Sequence, residues 1–194
     1  MGAIFQSLGR TILAGVVILA VMMGIAGTFG KLGEMSFWTF FMRWLHVLSG
    51  VLWIGLLWYF NFVQIPSMPK IPDEQKPAIS KVIAPEALFW FRWAAMATLI
   101  TGLLLAGMNG YIGKALALQA PFIAIGIGMW LAMVMWFNVW FIIWPNQKKA
   151  LGIVTVEATE KAAAARMAML TSRFNTMLSI PMLYYMVAQQ NAGL

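Results

Sequence analysis

Residues Thr11–Phe29 and Pro121–Trp144 contain no charged side chain. A helix needs about 20 apolar residues to cross the hydrocarbon core of a bilayer, and each of these runs is about that long. Composition supports the same reading. Only 10% of the 194 residues are charged and 62% are hydrophobic, whereas soluble domains carry about 25% charged residues. Ten Trp, 13 Phe and 16 Met suit surfaces that meet lipid and its interface. The chain reads as an integral membrane protein in one domain, residues 1–194. With no cysteine and a single histidine, disulfides, thiolate metal sites and three-histidine metal sites are excluded.

Five segments are long enough to span: about 11–29, 37–65, 88–108, 121–144 and 167–188. The expectation is an all-α membrane bundle of about five transmembrane helices. The first run resembles a secretory signal, with Arg10 before it and small residues after it. Its uncharged stretch is long for a signal, so it is read as a retained helix. The loops set the orientation. With five crossings, Arg10, Lys70, Lys76, Lys81, Lys148, Lys149, Lys161 and Arg166 share one side, and Lys31 and Lys114 share the other. Eight basic residues against two put the N-terminus in the cytoplasm and the C-terminus in the periplasm, across a bacterial inner membrane. This distribution accounts for the net charge of +7 without a nucleic-acid partner.

Small residues mark close helix approach, because lipid supplies no hydrophobic force between helices. Ala124, Gly128 and Ala132 form such a ladder, and Ala20 and Gly24 a shorter one. Pro181 is expected to kink the last helix and free the Met177 carbonyl. Pro145, just after Trp144, is expected to stop the fourth.

The chemistry concentrates in the second run, "FMRWLHVLSGVLWIG". Helical spacing places Arg43, His46, Ser49, Gly50, Trp53, Leu57, Asn61 and Gln64 on one stripe. A polar stripe faces the bundle interior or a cavity rather than lipid. Gly50, one turn from His46, leaves space beside the imidazole for a flat cofactor or a substrate. Three roles for His46 stay open: a neutral side chain bonded to a neighbouring helix, an axial ligand to haem iron, or a proton carrier or substrate contact. Arg43 suits an anionic group such as a haem propionate or acidic substrate, or else reaches up to lipid headgroups.

A second polar cluster is expected at the cytoplasmic helix ends, from Arg92, Asn138, Asn146, Gln147, Arg173 and Asn175. It is either a substrate site or an interfacial belt with structural amides. An amide at membrane depth needs a partner. No nucleotide loop and no nucleophile–base pair is apparent. All six acidic residues lie in loops, so no carboxylate relay crosses the membrane.

The segments "RWLHVLSGVLWIG", "LFWFRWAAMATLITG", "NVWFIIWPNQKKALG" and "SRFNTMLSIPML" together resemble the membrane domain of bacterial membrane-bound urate hydroxylase, the urate oxidase N-terminal family. The resemblance covers most of residues 38–186, and Pro145-Asn146-Gln147 is its most specific part. It implies a multi-spanning fold, action on urate and electron delivery to a cytochrome c domain. It carries over Arg43, His46, Trp53, Arg92, Asn138, Pro145, Asn146, Gln147, Arg173 and Asn175. The family has histidines where this chain has Phe89 and Phe174, and more helices between the third and fourth segments. No Cys-x-x-Cys-His haem-attachment motif occurs up to Leu194, so a c-type cytochrome is expected as a separate partner, with other membrane subunits as further candidates.

The expected function is thus a membrane redox protein, or the membrane subunit of a redox complex. It would bind haem b or a small aromatic substrate through His46, with Arg43, Gly50 and Trp53 around it, and pass electrons to a separate cytochrome. The alternative is a non-catalytic structural subunit of a larger membrane complex.

Overall fold

The computed structural model describes residues 2–191, and these are helical throughout their ordered elements, with no strand among them. Met1 and residues 192–194, the two ends of the expected domain, lie outside the described residues. Six helices carry the fold: α1 (Leu8–Ile25), α2 (Met35–Lys70), α3 (Lys76–Met108), α4 (Ile112–Leu116), α5 (Ile123–Ala150) and α6 (Ala158–Ala188). Helices α1, α2, α3 and α5 are long and apolar enough to cross a membrane.

The chain divides into two compact units, Met1–Phe41 and Met42–Leu194. In the first, α1 has no buried residue, and a 3-10 turn at Thr28–Lys31 follows it. The Trp38 indole donates to the Leu32 carbonyl at 2.9 Å, and the Phe37, Trp38 and Phe41 rings pack together. The second unit holds the core. Trp53, Leu57 and Phe60 of α2 meet Leu88, Phe91 and Ala95 of α3 and Met135, Val139 and Ile143 of α5.

The helices are longer than their apolar runs. At 36 residues, α2 measures about 54 Å, well beyond a hydrocarbon core of about 30 Å. The reason lies in the prolines. Pro145 does not stop its helix: α5 passes through it to Ala150. A proline cannot donate to the carbonyl four residues earlier, and its ring crowds that oxygen. Here a wider π turn precedes three prolines by two residues: Tyr59–Gln64 before Pro66, Ile79–Ile83 before Pro85, and Asn138–Ile143 before Pro145. The backbone then bonds five residues back, as in Ile65 to Phe60, Ala84 to Ile79 and Trp144 to Val139. The carbonyls that would face each proline (Phe62, Lys81, Phe141) lie inside these turns, so the helix widens instead of breaking.

The expected fifth span, 167–188, belongs to α6, which runs unbroken through Pro181 and is not among the helices apolar enough to cross by composition. Its buried residues explain why. Ala164, Ala168, Ser172, Asn175, Ser179 and Met182 form a stripe of small and polar side chains at spacings of three and four, directed at the other helices rather than at lipid. The α5 ladder is equally buried at Ala124, Gly128 and Ala132. A Cβ on Gly128 would come within 3.2 Å of the Met186 backbone nitrogen, so the ladder brings α5 against α6.

Candidate functional site

His46 sits on α2, partly buried, and its ring is held from α3. Nδ1 lies 3.0 Å from the Thr98 carbonyl oxygen and 3.2 Å from Thr101 Oγ1. A carbonyl only accepts, so Nδ1 carries the hydrogen and donates. Thr101 Oγ1 donates its own hydrogen to the Ala97 carbonyl at 2.6 Å, which leaves it free to accept a share of the Nδ1–H. In the neutral ring, Nε2 then holds the lone pair. Among the described residues no hydrogen bond engages it.

The glycine against the ring is Gly102 of α3, not Gly50. A Cβ on Gly102 would lie 2.8 Å from His46 Cε1 and 3.2 Å from Nδ1. A Cβ on Gly50 would meet only Thr98 Cγ2, at an ordinary 3.9 Å. Gly50 does line the space nearby. A cavity of about 550 Å³ lies beside His46, walled by α2, α3, α5 and α6. This is within the size range of pockets that take small organic ligands. Its walls are mostly apolar, with Met129, Met182 and Met186 among them.

Two polar atoms of the wall residues lack partners. Arg43 Nε and Trp53 Nε1 are both buried without a hydrogen bond, and both residues line the cavity with His46. Both atoms are enclosed by neighbouring protein atoms, so these side chains meet the cavity with their remaining surface. Tyr111, in the connection after α3, lines the same space. Burial holds its phenol above the ordinary range, and the Arg43 charge works against that rise. At the far side, the Gln189 amide ties α6 to the start of α5, accepting from Ile125 N at 3.3 Å and donating to the Pro121 carbonyl at 3.0 Å.

The second expected cluster separates into parts. Asn138 and Asn175 meet: Asn138 Nδ2 donates to Asn175 Oδ1 at 2.8 Å, and Asn175 Nδ2 donates to the Met135 carbonyl at 2.9 Å. Asn61 Nδ2 reaches Ser172 Oγ at 2.8 Å and the Leu57 carbonyl at 2.9 Å. Each asparagine sits in a π turn and binds the polar stripe of α6. Asn146 Nδ2 donates to the Ile142 carbonyl at 2.8 Å, while Gln147 Oε1 is buried without a partner. Arg92 is buried, and its guanidinium stacks on the Trp144 ring with Cζ 3.4 Å from the centroid. Arg173 does not join them. It is exposed, because the stripe of Ser172 and Asn175 turns it to another face.

This asparagine pair is structural, and its removal has a calculable effect. Asn175 is fully buried. Asn175→Ala leaves Asn138 Nδ2 without a partner and opens a void, while the Met135 carbonyl keeps the Asn138 backbone N–H. Hydrogen bonds between membrane helices average only about 0.6 kcal/mol, but an orphaned buried donor costs about 1–3 kcal/mol, and the void adds to it. The orphan term dominates, and the expected fall in melting temperature is about 5–10 °C, read by circular dichroism in detergent. A fall under 2 °C would show that water or a rearranged side chain replaces Asn175.

Sequence reasoning missed Gly102, Thr98 and Thr101. The signal was present as the only hydroxyl-and-glycine patch inside the third apolar run, "ATLITG".

The model of the urate oxidase N-terminal family matches residues 107–192, and the chain resembles that family over this part. The match takes in α4, α5 and α6 with Asn138, Pro145, Asn146, Gln147, Arg173 and Asn175, and leaves out Arg43, His46, Trp53 and Arg92. No curated protein and no solved structure matches the chain significantly. The apolar helices and the family match together fit a membrane protein.

Proposed function

We propose that this chain is a membrane redox protein, or the membrane subunit of a redox complex, whose site is the cavity beside His46. The observation that carries this reading is the tautomer: Nδ1–H is committed to the Thr98 carbonyl at 3.0 Å, and Nε2 keeps its lone pair. That bond orients and polarises an imidazole in the way that ligating histidines are supported from behind. The donor set fits haem b or a small aromatic substrate. His46 would hold the iron or an acidic hydrogen, Arg43 would meet a carboxylate or carbonyl, Trp53 would pack beside the bound group, and a wall methionine is available as a second ligand. Haem would supply one-electron chemistry. The residues themselves hold the ring, exclude water and fix the proton on Nδ1. Electrons would pass to a separate c-type cytochrome.

The test is the absorption spectrum of the purified protein, oxidised and reduced, with and without His46→Gln. A Soret band in wild type that His46→Gln loses or shifts is the expected result. A well-folded wild type with no Soret band overturns the haem form. The second reading, a structural subunit, draws on the same Nδ1 bond, which is also what a histidine needs merely to join two helices. In that case His46→Gln is tolerated in every assay.

The bundle is proposed to lie in a bacterial inner membrane, with α6 as the fifth crossing and the basic helix ends in the cytoplasm. Reporter fusions in the Asp73–Lys76 turn and at Gly110 are expected to report opposite sides, cytoplasmic and periplasmic. Reports from one side would remove the five-crossing arrangement.

A further inference from the structure

The cavity beside His46 has a side opening. Val47, Val51 and Gly55 of α2 and Leu183 and Val187 of α6 line it, and each is also exposed on the outer surface of the chain. Residues that face a cavity and the surroundings at once form its rim. The opening therefore lies between α2 and α6, and its rim is apolar except for Gln190, just past the end of α6. In a bundle embedded in lipid, such a gap communicates with hydrocarbon rather than with water.

Polar side chains line the same cavity: His46, whose Nε2 has no hydrogen bond among the described residues, with Arg43 and Tyr111. The site therefore combines an imidazole acceptor with a guanidinium and a phenol able to donate, next to a largely apolar gap that leads sideways. We propose that it binds a lipid-soluble quinone or its quinol. The aromatic head lies at His46 and Arg43, and the hydrocarbon tail leaves between α2 and α6. The proposal rests on reading the His46 cavity as a redox site, and it names the class of molecule that site takes.

The complementarity is specific. A quinone carbonyl has lone pairs for the Arg43 guanidinium or the Tyr111 hydroxyl, and a quinol hydroxyl has a hydrogen for His46 Nε2. An acyl chain alone would leave all three groups unsatisfied. A water-soluble aromatic acid would have no use for the apolar rim. Arg43 is also the only charged residue in the wall, which suits a neutral head with polar oxygens better than a ligand of high charge.

The experiment titrates the purified full chain with a benzoquinone bearing a decyl tail and follows quenching of tryptophan fluorescence, since Trp53 and Trp58 line the cavity. The comparison ligands are the same ring without the tail and decanol. Saturable quenching is expected, with the tailless ring at least tenfold weaker and decanol a poor competitor. Arg43→Gln and His46→Gln are each expected to weaken the tailed ligand about tenfold, the loss of a hydrogen bond to a charged or strongly polar partner. Val51→Trp, at an exposed rim position, is expected to weaken the tailed ligand and leave the tailless ring unchanged. Quenching that never saturates, or that is the same in Arg43→Gln and His46→Gln, rejects the proposal. The haem spectrum separates the two claims. A Soret band without saturable quinone binding keeps the redox reading and rejects the quinone. Saturable quinone binding without a Soret band keeps the quinone and rejects haem.

Discussion

A single methyl group on Gly126 is expected to do more damage than any other one-carbon change in this chain. The Cβ of an alanine there would fall onto the backbone carbonyl oxygen of Ala115, with Leu118 Cδ2 only 2.9 Å away. A side chain can rotate aside, but a carbonyl in the last turn of α4 cannot. That carbonyl also accepts the Leu118 N–H at 3.0 Å, so moving it breaks a bond. Leu118 itself holds a left-handed backbone at φ 52°, a conformation costly for a branched residue, so the connection has little slack. Overpacking of this kind costs about 1–3 kcal/mol or more. Gly126→Ala is expected to lower the melting temperature by about 5–10 °C. Gly128→Ala meets the Met186 backbone nitrogen at 3.2 Å and its Cγ at 3.3 Å, so a shift of a few tenths of an ångström relieves it and the fall is smaller. Gly113→Ala, with nothing within 4 Å, serves as the control. A Gly126→Ala protein that melts within 1 °C of wild type would mean that α4 does not seat on α5 as described.

Gly126 also shows what the sequence withholds. Ala124, Gly128 and Ala132 were legible as a ladder because a spacing of four on one helix is a property of that helix. Gly126 lies between the rungs, and its need for no side chain comes from α4, which periodicity along α5 says nothing about. Pro145 was misread for a related reason. Pro145 looks like a stop because a regular α-helix cannot hold it. The π turn that admits it depends on where the carbonyls four residues back can turn, and the same device recurs at Pro66 and Pro85. Asn61 and Asn138 fall within these turns and bind α6, so the segments that break the regular pattern are also the ones that join helices.

The candidate site divides the same way. Arg43, His46, Gly50 and Trp53 recur at spacings of three and four, so their shared face followed from helix geometry. Their companions Thr98 and Gly102 lie on α3, and the register of one helix against another is set by packing. Arg173 was grouped with Asn175 by nearness in sequence. Ser172 and Asn175, three apart, share the buried stripe, while Arg173 is one residue, or about 100°, round the helix from Ser172. Arg92 was expected near a belt of tryptophans, and it does stack on one, Trp144.

Gly102→Ala is expected to cost the site far more than it costs the fold. The added Cβ would stand 2.8 Å from His46 Cε1 and 3.2 Å from Nδ1, closer than any real contact, so the imidazole must leave its seat. Moving it breaks the 3.0 Å bond from Nδ1–H to the Thr98 carbonyl. That oxygen still lies in the regular hydrogen-bond ladder of α3, facing the N–H four residues on, so little is left unsatisfied and the net loss is about 0.5–1.5 kcal/mol. The melting temperature should fall by only about 2–5 °C. A ring displaced into the cavity takes the space of a ligand and no longer holds the tautomer that frees Nε2. Binding at the His46 site, read as the Soret band or as quinone affinity, is therefore expected to fall at least tenfold. Gly50→Ala, whose Cβ meets only Thr98 Cγ2 at 3.9 Å, is expected to leave both readings close to wild type. If the two variants exchange behaviour, with Gly50→Ala losing binding and Gly102→Ala keeping it, then the ligand lies against α2 and the imidazole is not its support.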